Sequence, residues 1–435
     1  MLKASAIWLA SSADVLVTHA AQLNPLHAEI LAVKSKTHVA LPGETSRMLC
    51  EIRFTSHVSK ESSMCRVEDP RCDLFWTVAR ASFYFVKKRK GRIHLSQLMT
   101  MHVGLIGGGN ISATHARAAN AIPGVSVAAI YGSNQARVAQ LSQEHAAQPY
   151  TDFEAFLNHR PLDLVAIGSP SGLHATQGIA AAKRGLHVLT EKPIDVSTQR
   201  ADELIAAAES SGVKLGVMFQ DRCKPDIRRM KQWIDAGVLG KVLLADARVK
   251  WYRPPEYYGD SKWRGTLALD GGGALINQAV HTVDLLLWML GDAVEVQAST
   301  ANLLHKIEAE DTALVLLKFE SGASAVLQAT TAAFPGYPRR LEVSGTEGTV
   351  ILEQDRVIAV DLKHPREGVA TSRATDDIED RASPVVTDFQ GHQAVFEDFI
   401  RAIKENGTPM CDGREARRSV ALIGEIYRAA GKSKR

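Results

Sequence analysis

From Met101 onward, short apolar runs alternate with longer stretches in which apolar positions recur every three to four residues. Apolar runs of strand length separated by helical stretches predict βαβ units built around a parallel sheet. The expected strands are His102–Gly107, Val125–Tyr131, Leu164–Gly168, His187–Thr190 and Lys214–Met218. The expected helices are Ser112–Ala121, Gln135–His145, Thr151–Asn158, His174–Arg184 and Ser197–Ser210. After about Gln220 the pattern changes. A helix over Pro225–Gly237 precedes a series of strand-like runs: Val242–Trp251, Ala293–Thr300, Thr312–Phe319, Ser324–Ala332, Arg340–Ser344 and Thr349–Leu352. Turn residues such as Gly322 separate several of them, which predicts an antiparallel or mixed sheet. The polar stretch Lys363–Thr387 reads as a surface excursion, and helices over His392–Asn406 and Arg414–Gly431 close the chain. The expected class is α/β: a doubly wound parallel sheet over residues 101–220, then an α+β domain over 221–435.

Residues 1–100 lack this regularity. We read them as an extension, either disordered or created by a mis-called start, because Met99 and Met101 stand directly before the first regular strand. A small extra domain is the alternative.

The junction of the first strand and helix carries the first chemical signal. Gly107-x-Gly109-x-x-Ser112 matches the dinucleotide fingerprint G-x-G-x-x-G/A, with serine in the third place. Gly107 allows the sharp turn, Gly109 lets the backbone approach a pyrophosphate, and a small Ser112 permits close helix packing. The N–H groups at the helix start, around Asn110 and Ile111, suit phosphate. A glycine turn that binds nothing is the competing reading. The tip of the second strand, Tyr131-Gly132-Ser133-Asn134, lacks the acid that usually holds the adenosine ribose of NAD. Ser133 and Arg137 stand there instead, and a hydroxyl with a guanidinium suits a 2′-phosphate. The cofactor is therefore NAD or NADP, with the pattern pointing to NADP; Arg137 as a plain solvated helix residue is the alternative.

Composition narrows the rest. The 435 residues are 45% hydrophobic and 23% charged, with a net charge of +3, which gives no reason to invoke nucleic acid or an anionic membrane. Five cysteines form neither a disulfide framework nor a zinc pattern, which suggests a reducing, cytoplasmic setting. No metal-ligand spacing such as H-E-x-x-H occurs, so no metal is expected.

Residues Asp270–Gly291 read DGGGALINQAVHTVDLLLWMLG. Asn277, His281 and Asp284 have the spacing of one helical face. Together with GLIGGGNISATHA, SPSGLHATQGIAAAKRGLHVLTEKP and GHQAVFEDFIRAI, this stretch resembles the glucose–fructose oxidoreductase / inositol dehydrogenase (Gfo/Idh/MocA) family over about three quarters of the chain. The resemblance implies an N-terminal Rossmann domain and a C-terminal domain with a large open sheet that joins subunits into a homodimer or homotetramer. It also implies oxidation or reduction of a carbinol on a sugar, cyclitol or sugar derivative with NAD(P). Lys192 matches the lysine of the E-K-P signature, which polarises or protonates the reacting oxygen, and His281 the acid/base histidine. Asn277 stands where the inositol dehydrogenase-like branch has aspartate, so a proton relay through it is altered. Ser169, Pro170, His174, Glu191 and Lys192 fall at or just after strand ends and would line the cofactor. Asp284 orients His281 or serves local structure.

For the substrate, Tyr252, Arg253 and Trp263 suit sugar recognition by stacking and hydrogen bonding, with subunit packing as the alternative. Gln220 and Arg222 end the last Rossmann strand and are placed to reach the substrate. A non-catalytic nucleotide sensor, a cofactor-retaining sugar oxidoreductase and an eliminase share these motifs. Retention of Lys192 and His281 favours an enzyme.

Overall fold

The computed structural model describes residues 100–369 and 389–431, together with the strands at 35–39, 48–52 and 372–373. Most of the N-terminal extension and most of the excursion expected over Lys363–Thr387 lie outside the described residues. Within the first unit, β1 (Ser35–Val39) and β2 (Met48–Ile52) pair antiparallel.

The second unit begins with a six-stranded sheet. Its strands are β3 (Met101–Ile106), β4 (Val125–Tyr131), β5 (Gln148–Tyr150), β6 (Leu164–Ile167), β7 (His187–Thr190) and β8 (Leu215–Val217). All neighbours pair parallel, in the order β5-β4-β3-β6-β7-β8. Every residue of β6 is buried, as expected of a strand covered on both faces. One face packs under the helix Asn110–Asn120, the other under His174–Ala182 and Thr198–Ser210. The short β5 escaped the sequence pattern: two of its three residues, Gln148 and Pro149, are exposed, so it has no apolar signature.

The second sheet has eight strands among the described residues, in the order β10-β11-β12-β9-β13-β14-β15-β16. These are β9 (Val242–Lys250), β10 (Ala293–Ala301), β11 (Thr312–Phe319), β12 (Ser324–Thr330), β13 (Arg340–Gly345), β14 (Gly348–Glu353), β15 (Arg356–Leu362) and β16 (Ser372–Arg373). The sheet is mixed, because β12 runs parallel to β9 while the other pairs are antiparallel.

The last two helices return to the first sheet, so a boundary near Gln220 does not separate two self-contained halves. The helix Gln390–Lys404 buries Val395, Phe396, Phe399 and Ile400 against β3 and β6. Its Phe399 ring fills the space over Gly216, where a Cβ would lie 2.7 Å away. Val217 N–H donates to Cys411 O at 3.0 Å, which covers the exposed edge of β8.

Candidate active site

The strand order reverses at β3, which lies between β4 and β6, and such a switch point opens a crevice beyond the strand ends. Gly107 enters that crevice with φ +131°, a conformation favouring glycine; a Cβ would lie 2.6 Å from Ser112 Oγ and 2.9 Å from Gly168 O. Gly109 is the N-cap of the helix Asn110–Asn120, which has no side-chain cap, and a Cβ there would meet nothing within 4 Å. Uncapped N–H groups facing open space suit a pyrophosphate. Asn110 is exposed, Ile111 is half-buried, and the buried Ser112 Oγ has no hydrogen-bond partner. These residues fit a dinucleotide. Ser133 and Arg137 are both exposed beyond β4. The Asn134 side chain accepts from Arg137 N–H at 3.0 Å and so caps the helix Gln135–His145.

Beyond β6 and β7 the structure reassigns two expected cofactor ligands. His174 is buried, with Nδ1 2.8 Å from Pro193 O and Nε2 2.9 Å from Ser169 O. Its ring clips the two loops together and has no nitrogen left for a cofactor. Glu191 is also buried; Oε1 lies 2.9 Å from His115 Nε2 and 3.5 Å from His392 Nε2, and Oε2 accepts from Lys192 N–H at 3.1 Å. Burial pushes its pKa up, but the bonds to His115 and His392 hold it well below the usual carboxylate range. Glu191 is thus a strut beneath Lys192. Ser169 donates to Gln177 Oε1 at 2.6 Å, and half-buried Pro170 leads into the turn Ser171–Leu173.

His115, Glu191 and His392 are also the ligand types of a metal site, with ligand atoms within 4.8 Å of one another. Metal-bound histidines almost always anchor their second nitrogen, whereas His115 Nδ1 is buried without a partner. The cluster is better described as a hydrogen-bonded clamp.

Lys192 Nζ donates to Asn277 O at 2.9 Å. Burial lowers its pKa; Glu191, Asp270 and Asp221 oppose the shift and Arg253 adds to it. Neutral lysine is thereby brought nearer to working pH.

The stretch after the glycines departs from the expected single helical face. Ala274–Ala279 form a wide π-helical turn before the α-helix Val280–Leu290, and such turns often occur at functional sites. Asn277 Nδ2 donates to Asp270 Oδ1 at 2.6 Å, and Asn277 Oδ1 accepts from Gln278 Nε2 at 3.1 Å. Its amide is therefore committed on both sides, and its backbone oxygen holds Lys192. Asp270 has a pKa raised to about 6, chiefly by burial, against bonds from Gly265 N–H and Asn277. His281 is pushed down to about 3 by burial, helped by the charges of Lys192, Arg339 and Lys224 and opposed by Asp221. The half-buried Lys192 and His281 thus meet around Asn277.

Asp284 points elsewhere. Its oxygens accept from Arg222 Nε at 2.8 Å and Nη2 at 2.7 Å, both side chains being almost fully buried. This corrects the expectation that Arg222 reaches the substrate: its guanidinium is consumed by a buried bidentate pair that ties the turn Gln220–Cys223 to the helix Val280–Leu290. The Gln220 side chain lies against Gly391, and its buried Oε1 lacks a partner.

Close packing explains the triple glycine. A Cβ on Gly272 would lie 2.1 Å from the Tyr427 hydroxyl, and one on Gly273 1.9 Å from Glu310 O. Gly273→Ala is expected to destabilise the protein by about 2–4 kcal/mol, because the obstructing atom is backbone. Thermal unfolding would check this; an unchanged Tm would refute the packing argument.

The aromatic stretch is layered over Arg253. This buried arginine donates to Gln278 Oε1 at 2.8 Å and lies 5.2 Å from the Trp251 ring and 5.5 Å from Tyr257. Arg264 stacks at 4.2 Å over Tyr257 and at 5.5 Å over half-buried Trp263. Tyr252 meets Phe334 edge-on at 5.3 Å. Sequence reasoning missed Asp270, Asp221, Gln278 and Arg339. Asp270 and Gln278 adjoin motif residues and were within reach; nothing in the sequence marks Arg339, which arrives from the far sheet.

Comparison with known proteins agrees with this fold. Residues 101–219 match the model of an oxidoreductase family with an NAD-binding Rossmann fold, and residues 227–351 that of the GFO/IDH/MocA C-terminal domain. An uncharacterized oxidoreductase, YrbE of Bacillus subtilis (strain 168), is 28% identical over 76% of this chain and 93% of its own. Myo-inositol 2-dehydrogenase of Thermotoga maritima is 25% identical over 74% of this chain and 94% of its own. The WlbA dehydrogenase from Bordetella pertussis, solved with NADH and UDP-GlcNAcA, superposes with a TM-score of 0.68 at 29% identity, covering 76% of this chain and 97% of that one.

Proposed function

Because this chain belongs to the Gfo/Idh/MocA oxidoreductase family, we propose that it oxidises or reduces a secondary carbinol of a sugar, cyclitol or sugar derivative, with Lys192 and His281 handling the hydroxyl proton. The observation that carries this reading is that the backbone oxygen of Asn277, one turn before His281, holds the Lys192 ammonium beyond the switch point. When bound, nicotinamide supplies the hydride acceptor or donor. Gly107, Gly109, Asn110, Ile111 and Ser112 would hold the pyrophosphate of the dinucleotide. Lys192, held through Asn277 O, donates a hydrogen bond to the reacting oxygen. With its pKa lowered, the His281 ring can take the hydroxyl proton during oxidation, and in reduction the ring so protonated gives that proton back. Trp263 and Tyr252 contact the sugar-like substrate, and the buried Arg253 orients them from below. Oxidation of myo-inositol, D-apiose and levoglucosan with NAD and NADP, followed at the nicotinamide absorbance, tests the reading. If no polyol or sugar in such a panel supported turnover while NADH still bound, the nucleotide-sensor alternative would take its place.

The cofactor preference we infer is NADP, from Ser133 and Arg137 and the lack of an acid between Tyr131 and Arg137. Arg137→Ala is expected to weaken NADPH about tenfold, or ~1.4 kcal/mol, and to leave NADH within twofold. Fluorescence titration with each nucleotide decides this; wild-type protein that prefers NADH would refute it.

We further propose that the outer face of the second sheet joins two copies of the chain. On β11 buried and exposed positions alternate, yet Leu314 and Leu316 occupy exposed places, and Leu244 is exposed on the same face of β9, two strands away. Exposed leucines in that number mark an interaction surface. Leu314→Glu with Leu316→Glu should yield monomers by light scattering, and a wild-type monomer would overturn the proposal. No helix among the described residues is long and apolar enough to cross a membrane.

A further inference from the structure

His281 carries a buried ring nitrogen, Nδ1, with no hydrogen-bond partner. A base that uses one imidazole nitrogen needs the proton on the other, and some neighbour must hold it there. Asn277 cannot, since its amide already bonds Asp270 and Gln278. The oxygen that faces Nδ1 is Asp221 Oδ2, at 3.7 Å. Phe219 packs edge-on against the ring, with centroids 5.6 Å apart at 85°, and limits its rotation.

Asp221 is itself firmly held. Oδ2 accepts from Arg339 Nη1 at 2.6 Å, and Oδ1 pairs with Lys224 Nζ at 2.7 Å. Asp355 in turn pairs with both Arg339 and Lys224. Burial raises the pKa of Asp221, but the charges of Arg339 and Lys224 keep it well below the usual carboxylate range. An ionised carboxylate therefore stands beside the buried imidazole, clamped between the turn Gln220–Cys223 and the residue before β13. Closing 3.7 Å to hydrogen-bond distance needs a shift of about 1 Å, and bonds of this kind often tighten only when substrate is bound.

We propose that Asp221 is the positioning residue of His281: it holds the proton on Nδ1 and leaves Nε2 free to act as the base. The proposal rests on the dehydrogenase reading for its consequence but not for its geometry. It also separates Asp221 from a purely structural partner of Arg339, since Arg339 retains Asp355 when Asp221 loses its charge.

The test uses full-length protein with ring-15N-labelled histidine, read at pH 7.5. The His281 signals are identified by their loss in His281→Gln. The expected wild-type result is a neutral ring with hydrogen on Nδ1; Asp221→Asn should shift it toward the Nε2–H form. In the same variant, turnover should fall about 10–100-fold with NADH affinity unchanged. The charges facing the ring are Asp221, Lys192, Arg339 and Lys224, and an unchanged NADH affinity reports that the cofactor cradle is intact. Hydrogen on Nε2 in the wild type, or a tautomer that ignores Asp221→Asn, overturns the proposal. The wild-type spectrum decides the matter even if the variant folds poorly. A tautomer shift in a protein that oxidises no carbinol sinks the dehydrogenase reading and leaves the pairing standing.

Discussion

Lys192→Met should lower kcat/KM about a thousandfold or more, roughly 4 kcal/mol of transition-state stabilisation, while the dissociation constant for NADH stays within about threefold. Methionine keeps the length and apolar body of the lysine but removes the charge and the proton. The ammonium is held by Asn277 O and buried among Glu191, Asp270 and Asp221, so it acts where water is scarce and each charge interaction is strong. The cofactor cradle at Gly107–Ser112 lies on a different element and should not register the change. The measurement is steady-state turnover beside a fluorescence titration. Turnover within tenfold of wild type would remove Lys192 from the chemistry; loss of NADH binding would make it a cofactor ligand only.

The largest effect on stability is expected at Arg222. Arg222→Met strands the Asp284 carboxylate, which is almost fully buried and receives two hydrogen bonds from the guanidinium. Breaking a buried pair from one side costs about 3–5 kcal/mol, mostly through the charge left behind. Replacing both partners, as Arg222→Met with Asp284→Leu, should recover most of that loss, because an apolar pair of similar volume needs no desolvation compensation. Burial already raises the Asp284 pKa with Arg222 present, and the rise must be larger without it. A raised carboxyl binds its proton more readily in the folded than in the unfolded state, so folding gains as pH falls toward the unfolded value. The penalty of Arg222→Met should therefore be smaller near pH 4.5 than at pH 8. Urea melts at both pH values check this; equal penalties, or a double variant no better than the single, would show that Asp284 does not carry the cost.

Much of this architecture was legible in the chain because it depends on local pattern. The strands at Val125–Tyr131 and His187–Thr190 and the helix at Gln135–His145 follow from apolar period, cap residues and the turns that bound them. The glycine turn was legible for a similar reason: Gly107 needs a positive φ that few other residues tolerate. The candidate residues Lys192 and His281 were singled out by the family resemblance of the stretches that carry them, not by spacing alone. The helix Gln390–Lys404 was predicted from its apolar stripe, yet the stripe could not say which sheet it covers; Phe399 over Gly216 decides that.

What the sequence by itself determined, then, was which segments form strands and helices and where the dinucleotide turn lies, because those rest on residues near one another in the chain. The tertiary structure alone decided which charges meet. Arg222 leaves the substrate face for Asp284, Glu191 and His174 become fasteners, and Asp221, brought against Arg339 across 118 positions of sequence, faces His281. Buried polar groups must find partners wherever the fold brings them within about 3 Å, and spacing along the chain does not encode that distance.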